Sequence, residues 1–202
     1  MTPNERLKTL CADPDLSPHL GRVTQLTADG VRWLFATNGW AFLALLAGPL
    51  DDEPEIHEHT AKAARKMIES ARAANQSMPW APLKAFMRVD GPMEVACQNC
   101  SGSMEVECPH CCNITECEDC DGGKVPRKAE PVRLLSAHVN RVLFHRFADG
   151  LDARTVTYVY GGPKDEVVFA DADPERTWAL GIMPMVVSER EAAEAPAFEV
   201  PA

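Results

Sequence analysis

The sequence predicts an α+β fold of two halves, each a helix followed by a three-stranded antiparallel meander, with a cysteine-rich segment inserted between them. Three observations carry that prediction. Strand-like runs separated by tight-turn dipeptides lie near the start, a helical run and three further strand-like runs recur near the end, and seven of the eight cysteines fall between residues 97 and 120. A chain of 202 residues, 46% hydrophobic and 25% charged, can bury a core as one domain or two small ones. Helices covering an antiparallel sheet satisfy that alternation of patterns.

A short helix is expected over about Asn4 to Cys11, with Cys11 packing inward in the apolar pattern TLCADPDL. The stretch RVTQLTADGVRWLFATNGWAFLALLAG then holds three strand-like runs separated by Asp29-Gly30 and Asn38-Gly39. Both dipeptides tolerate positive φ and favour tight hairpins, so residues 22–46 read as a meander. Val31, Trp33 and Phe35 share one face by the period of two, the bulky side of a half-buried sheet. Residues 55–76 add a helix. Within 60–74, Lys62, Arg65, Lys66 and Arg72 stand against Glu69, a local surplus read first as a solvated face. His57 and His59 at the start of that helix are weighed as metal ligands and read instead as exposed.

The segment CQNCSGSMEVECPHCCNITECEDCDGGK contains three Cys-x-x-Cys knuckles: Cys97 with Cys100, Cys108 with Cys111, and Cys117 with Cys120. Such a turn aims two thiolates at one tetrahedral ion. The N-terminus has no apolar run of signal-peptide length and no stretch approaches the roughly 18 apolar residues of a membrane span, so a cytoplasmic, reducing location is expected. There, cysteines at this spacing bind zinc rather than form disulfides; a redox dithiol or buried thiols are the competing readings. Sixteen residues separate Cys100 from Cys117, inside the range of a ribbon-type site, against seven from Cys100 to Cys108 and five from Cys111 to Cys117. The first knuckle therefore pairs with the third. Cys108 and Cys111 sit near the hairpin tip, where a second ion would need Cys112 or His110. A closed four-thiolate site is structural and leaves no open position for substrate.

Downstream, VRLLSAHVNRVLFHRFADG reads as an amphipathic helix over 133–147. At about 100° per residue His138, Arg141 and His145 fall within about 60° of one another, opposite Val139, Leu143 and Phe147. That cationic stripe is the candidate contact for duplex DNA, although Arg133 and Arg146 fall off it. The runs ARTVTYVY, EVVFADA and TWALGIMPM, separated by GGPKD and DPER, make the second meander. Residues 188–202, SEREAAEAPAFEVPA, have the composition of a flexible tail, with Phe198 a candidate anchor for a partner. The domain organisation is thus 1–92, first half with an added helix; 93–128, the insertion; 129–187, second half; and 188–202, tail.

Two resemblances follow from these residues. C-Q-N-C-S-G-S, C-P-H-C and C-E-D-C-D-G-G resemble the C-x-x-C-x-G-x-G repeats of DnaJ-type cysteine-rich domains, with three repeats in place of four. That family pairs its outer repeats around one zinc and its inner repeats around another, which implies the same outer pairing and leaves the tip without a full ligand set. The HPD signature of the J-domain is absent, so co-chaperone activity is not implied. ATNGWAFLAL at 36–45 is similar to the ATDGHRLA segment of bacterial DNA polymerase sliding clamps and their phage-encoded relatives, and the C-terminal VNRVLFHRF followed by ALGIMPM resembles the last helix and strands of those clamps. The resemblance implies one clamp-like domain built from two repeats. Asn38, Trp40 and Ala41 replace the family's Asp, His and Arg, so any role of those polar side chains is lost. The first strand of the first half is missing, the helix over 55–76 is additional, and a ring of six such domains would need six copies.

The implied function is a noncatalytic scaffold or accessory in DNA replication or processing, of phage or mobile-element type, with zinc as cofactor and duplex DNA and replication proteins as partners. The alternative is a zinc-stabilised adaptor that grips a polypeptide with its hairpin and does not bind DNA. Thirty acidic against twenty basic residues argue against nonspecific binding of nucleic acid or anionic membrane by the surface as a whole. No Gly-rich phosphate loop, nucleophile elbow or convincing acid/base pair is present, so an enzyme is not expected.

Overall fold

The computed structural model describes residues 3–13, 15, 17, 20–28, 31–46, 58–107, 114–162, 164–173 and 177–200. Two compact units divide the chain, one of residues 1–88 with 130–202 and one of residues 89–129. In chain order the larger unit opens with α1 (Pro3–Lys8), β1 (Thr24–Ala28), β2 (Val31–Thr37), β3 (Ala41–Leu46), α2 (Glu58–Ala73), β4 (Gln76–Pro79) and α3 (Trp80–Phe86). The smaller unit holds β5 (Glu94–Ala96), β6 (Glu105–Glu107), β7 (Ile114–Glu116) and β8 (Lys124–Pro126). The larger then resumes with β9 (Pro131–Leu134), β10 (Ala137–Asn140), α4 (Arg141–Ala148), β11 (Thr155–Tyr160), β12 (Val167–Asp171), β13 (Trp178–Ile182), α5 (Glu189–Glu194) and β14 (Ala197–Phe198). The class is α+β with a mostly antiparallel main sheet.

Seven strands form that sheet in the order β1-β2-β3-β13-β12-β11-β4. The two expected meanders are β1 to β3 and β11 to β13, and they meet through their last strands, with Leu180 opposite Leu43 and Gly181 opposite Phe42. At the β2–β3 turn Gly39 has φ +90°, and the Asn38 side-chain oxygen accepts from the amides of Trp40 and Ala41. The Asp29-Gly30 turn lies outside the described residues.

Trp33 and Phe35 do share a face, and α2 covers it through Ala64, Ile68 and Ala71. The sheet is nevertheless not half-buried. Leu34, Ala36 and Leu43 point to the opposite face and pack with Leu7 of α1, Phe144 and Phe147 of α4, and Trp80. The reason is legible in WLFA and FLAL, which are continuous apolar runs suited to burial on both sides rather than alternating ones. Trp80 stacks obliquely on Trp178 and Phe144, with ring centroids 5.1 Å and 5.8 Å apart, and its indole N–H reaches the Leu151 carbonyl. Cys11 is half-buried against this cluster, and burial pushes its thiol up to about 11.

Three expectations need correction. The helix expected over 133–147 is only Arg141–Ala148; residues before it form the hairpin β9–β10, in a small second sheet ordered β10-β9-β14. Val132, Leu134, Ala137 and Val139 are buried on a period of two, and Asn140 caps α4 by accepting from the amides of Val142 and Leu143. The segment expected as a flexible tail is ordered over α5 and β14. Ser188 and Glu191 form a reciprocal capping box, β14 runs parallel to β9, and Phe198 packs on Phe86 at 5.4 Å rather than standing free for a partner. Strand β4 and helix α3, absent from the sequence expectation, extend the sheet beyond β11 and cover the core. Among the described residues no helix is long and apolar enough to cross a membrane.

A methyl group at Gly181 would lie 1.8 Å from the Phe42 ring, which is buried with little room to move. Gly181→Ala is therefore expected to lower unfolding free energy by about 1–3 kcal/mol in urea titration, the usual cost of overpacking. Replacing 93–128 by a short flexible linker is expected to leave the larger unit with a cooperative thermal transition, because the removed ends are paired in β5 and β8.

Candidate metal centre

In the smaller unit, β5 pairs with β8 and β6 with β7, and each of the first-named and third-named knuckles begins where a strand ends. Cys97-x-x-Cys100 follows β5, and Cys117-x-x-Cys120 follows β7. Backbone contacts hold both turns: the Cys97 amide donates to the Gly123 carbonyl at 2.8 Å, and the Cys117 amide donates to the Met104 carbonyl at 2.8 Å. Gly123 has φ +77°, and a Cβ there would lie 2.4 Å from the Gly102 carbonyl oxygen, so the two knuckles approach through glycine backbone. Asn99 spans them, donating to Asp119 at 2.8 Å.

The sulfurs of Cys97, Cys100, Cys117 and Cys120 all lie within 4.8 Å of one another. Cys97 to Cys117 is 3.8 Å and Cys100 to Cys120 is 3.6 Å. A tetrahedron with metal–sulfur bonds of ~2.3 Å, the zinc–thiolate length, has edges of ~3.8 Å. The four thiols thus fit one ion of that size. Burial opposes ionisation of Cys100, but the Met104 amide, the Cys120 thiol, the Gly102 amide and the Cys97 thiol together bring it down to about 7. Burial, followed by the neighbouring Cys100, Cys117 and Cys97 sulfurs, pushes Cys120 up to about 12. Four thiols crowded together cannot all ionise without a cation between them. Cys108 and Cys111, with Cys112 and His110, lie outside the described residues, as do His57 and the side chain of His59.

The cationic stripe of His138, Arg141 and His145 is not formed. His138 sits on β10, with its Nε2 buried and without a hydrogen-bond partner among the described residues. Arg141 opens α4 and is bound by the Glu130 carboxylate through Nε at 3.0 Å and also through Nη2. His145 is half-buried in the last turn of α4. Strand geometry at 137–140 takes His138 out of the helical face, where Arg141 and His145 remain four residues apart on α4.

A second feature has no counterpart in the sequence reading. Beside the β3–β13 pairing, a pocket of about 420 Å³ opens between α2 and the sheet, lined by Phe35, Trp40, Phe42, Met67, Gly181 and Met183 among others. Trp40 and Met183 are exposed there, and the Met183 amide donates to the Trp40 carbonyl at 2.8 Å. The signal was present in two segments, residues 36–45 and 179–185, but not the pairing that joins them.

No family profile matches the chain, and no curated protein matches it. Solved structures with a similar trace include the DNA polymerase III beta subunit of Thermotoga maritima, at 10% identity and TM-score 0.47, over 91% of this chain and 62% of that one. The beta subunit from Streptococcus pyogenes DNA polymerase gives 11% identity and TM-score 0.47, over 90% and 62%. The C. crescentus beta sliding clamp gives 12% and 0.45, over 91% and 62%. The chain spans about three-fifths of the length of these structures.

Cys97→Ser and Cys117→Ser are each expected to reduce bound metal from about one ion per chain to a small fraction of that, read by elemental analysis of protein purified under reducing conditions. Cys108→Ser is expected to cost less. Acidification should release the ion, because protons compete for the thiolates that hold it.

Proposed function

We propose that the protein is a noncatalytic, clamp-like scaffold serving DNA replication or processing, with a structural zinc ion held by Cys97, Cys100, Cys117 and Cys120. One observation carries the scaffold reading. The two segments that resemble sliding clamps in sequence, 36–45 and 179–185, are far apart in the chain yet are hydrogen-bonded neighbours across β3 and β13. Each ends a meander of the same order, helix then three strands, so the resemblance extends from residues to their arrangement. The zinc reading rests on the match of the sulfur separations to a tetrahedron and on spacing. A four-thiolate site would fold the hairpin and leave the chemistry of any reaction to another protein.

A second reading is favoured by the hairpin's own surface. Met104 and Ile114 are exposed large apolar residues on or beside the β6–β7 arm. They suit a polypeptide partner, which makes the hairpin a protein-binding arm whether or not DNA is bound.

Mass in solution, measured with and without a random-sequence duplex, tests the scaffold role. At low salt the protein is expected to travel with the duplex, and retention should fall as salt rises, without sequence preference. Failure of retention at low salt removes the DNA role and leaves the protein-binding arm as the function of the chain.

A further inference from the structure

The four knuckle sulfurs are not equally reachable. Cys97, Cys100 and Cys117 are buried, whereas Cys120 is half-buried and lines a shallow polar depression on the smaller unit. Glu94, Glu118, Asp119 and Asp121 line the same depression, with Lys124 the one basic side chain among its lining residues. A reagent small enough to reach the centre therefore meets Cys120 first, across an acidic rim. That rim opposes anionic disulfides and leaves a small neutral oxidant unhindered. Behind Cys120 the Cys100 sulfur stands at 3.6 Å, and the Cys97 and Cys117 sulfurs are 3.8 Å apart. Both contacts run between knuckles, joining residues 20 apart in the chain. Backbone hydrogen bonds from Cys97 to Gly123 and from Cys117 to Met104 already tie the two turns together. A disulfide needs a sulfur separation of ~2.05 Å, so each sulfur of a pair has to move by less than about 1 Å.

We infer that Cys120 is an oxidation site for hydrogen peroxide, and that its oxidation converts the four-thiolate centre into two disulfides between knuckles, Cys100 with Cys120 and Cys97 with Cys117. When zinc is bound all four sulfurs are thiolates, so exposure rather than acidity decides which reacts first. The Cys120 thiolate attacks one peroxide oxygen, the O–O bond breaks and hydroxide leaves, giving a sulfenic acid. The Cys100 thiolate then attacks the Cys120 sulfur; an S–S bond replaces the S–O bond, and a second hydroxide leaves. A second peroxide does the same to Cys97 and Cys117. Four thiolates thus give four electrons to two peroxides, and the products are two disulfides and four hydroxides. No thiolate is left to hold an ion. Each disulfide nevertheless closes a long loop across the hairpin, which restricts the unfolded chain as the ion did, so one cross-link replaces another. Pairing within a knuckle would span only Cys-x-x-Cys and leave the two turns unjoined. Thiol reductants reverse both bonds, so the conversion is a reversible mark. The inference rests on the zinc reading of these four cysteines and is independent of the DNA role.

The test uses the full chain purified under reducing conditions, assayed for zinc, freed of reductant and treated with hydrogen peroxide. Zinc should pass to a chromogenic chelator as the disulfides form, and rebind after reduction with dithiothreitol. Cleavage at glutamates cuts the chain between Cys100 and Cys117, so the two knuckle peptides should stay joined in the oxidised protein. Mass spectrometry should place the bonds at Cys100–Cys120 and Cys97–Cys117, in wild type and equally in Cys108→Ser/Cys111→Ser/Cys112→Ser. Amide exchange over 89–129 should be at least about tenfold slower in the oxidised, zinc-free protein than in reduced protein stripped by chelator. Glu94→Gln/Glu118→Gln/Asp121→Asn keeps all four sulfurs; it should leave peroxide-driven release within about twofold of wild type and speed release by glutathione disulfide at least about fivefold at low salt. Zinc retained under peroxide, disulfides confined within each knuckle, or exchange in the oxidised protein as fast as in the stripped one each overturn the inference and leave the zinc reading standing. A neutralised rim that gains no reactivity toward glutathione disulfide overturns the choice of peroxide as oxidant. Zinc absent from the reduced protein as purified overturns the zinc reading, and the inference with it.

Discussion

The antiparallel pairing of β3 with β13 is the constraint on which the larger unit depends. Alone, each meander would be a three-stranded sheet with an apolar edge open to pairing with another chain, and with two faces to cover. Joined edge to edge, the two make one sheet whose central strands are buried from both sides. The join is close because Gly181 has no side chain and the Phe42 ring occupies the space a methyl group would need. Helices α1 and α4 then close one face and α2 the other. Trp178, at the start of β13, also sets the Trp80 and Phe144 stack, so the same strand anchors both the sheet and its aromatic cover.

What could be read from the sequence follows the range of the interaction responsible. The meanders were legible because a turn such as Asn38-Gly39 acts within four residues, and α2 because Ala61, Ala64, Ile68 and Ala71 recur at helical spacing. The first and third knuckles were legible because the geometry of a Cys-x-x-Cys turn is local. The segment 131–140 was not, since VRLLSAHVN carries apolar residues compatible with both periods, and the choice of strand is made by pairing with β14 from the far end of the chain. The C-terminal segment failed for the opposite reason. Its composition is that of a tail, but Ser188-x-x-Glu191 is a capping signal, and Phe198 gains burial only because Phe86 is available in the folded unit. Composition reported the polarity of the segment and missed two specific anchors.

The smaller unit has little besides its cysteines to hold it together. Its strands are three residues long, and its described hydrophobic cluster consists of the four cysteines with Val106 and Val125. So little apolar surface cannot offset the entropy of ordering some forty residues. Under the proposed zinc reading, an ion held by the four thiols would replace a core, and its positive charge between the sulfurs would remove the cost of crowding thiolates. The glycine contact between the two knuckles, where a side chain would not fit, matches this economy of volume.

Helix α2 joins the sheet's packing to the pocket beside it. Its buried stripe is mostly alanine, which lets the helix lie near Trp33, Phe35 and Phe42 without interdigitating with bulky side chains of its own. The larger share of apolar surface at that contact therefore comes from the sheet and from Ile68 and Met67. Where the helix begins, Thr60, Ala63 and Ala64 face a region that also contains Gly39 and Gly181, and these small residues leave a volume that no described residue of the larger unit fills. The pocket is thus a consequence of the same choices that close the sheet: glycine at the β3–β13 pairing admits Phe42, and alanine on α2 admits the whole face. Enlarging either to fill the pocket would strain the contact that holds the two meanders together, so the opening persists for as long as the pairing does.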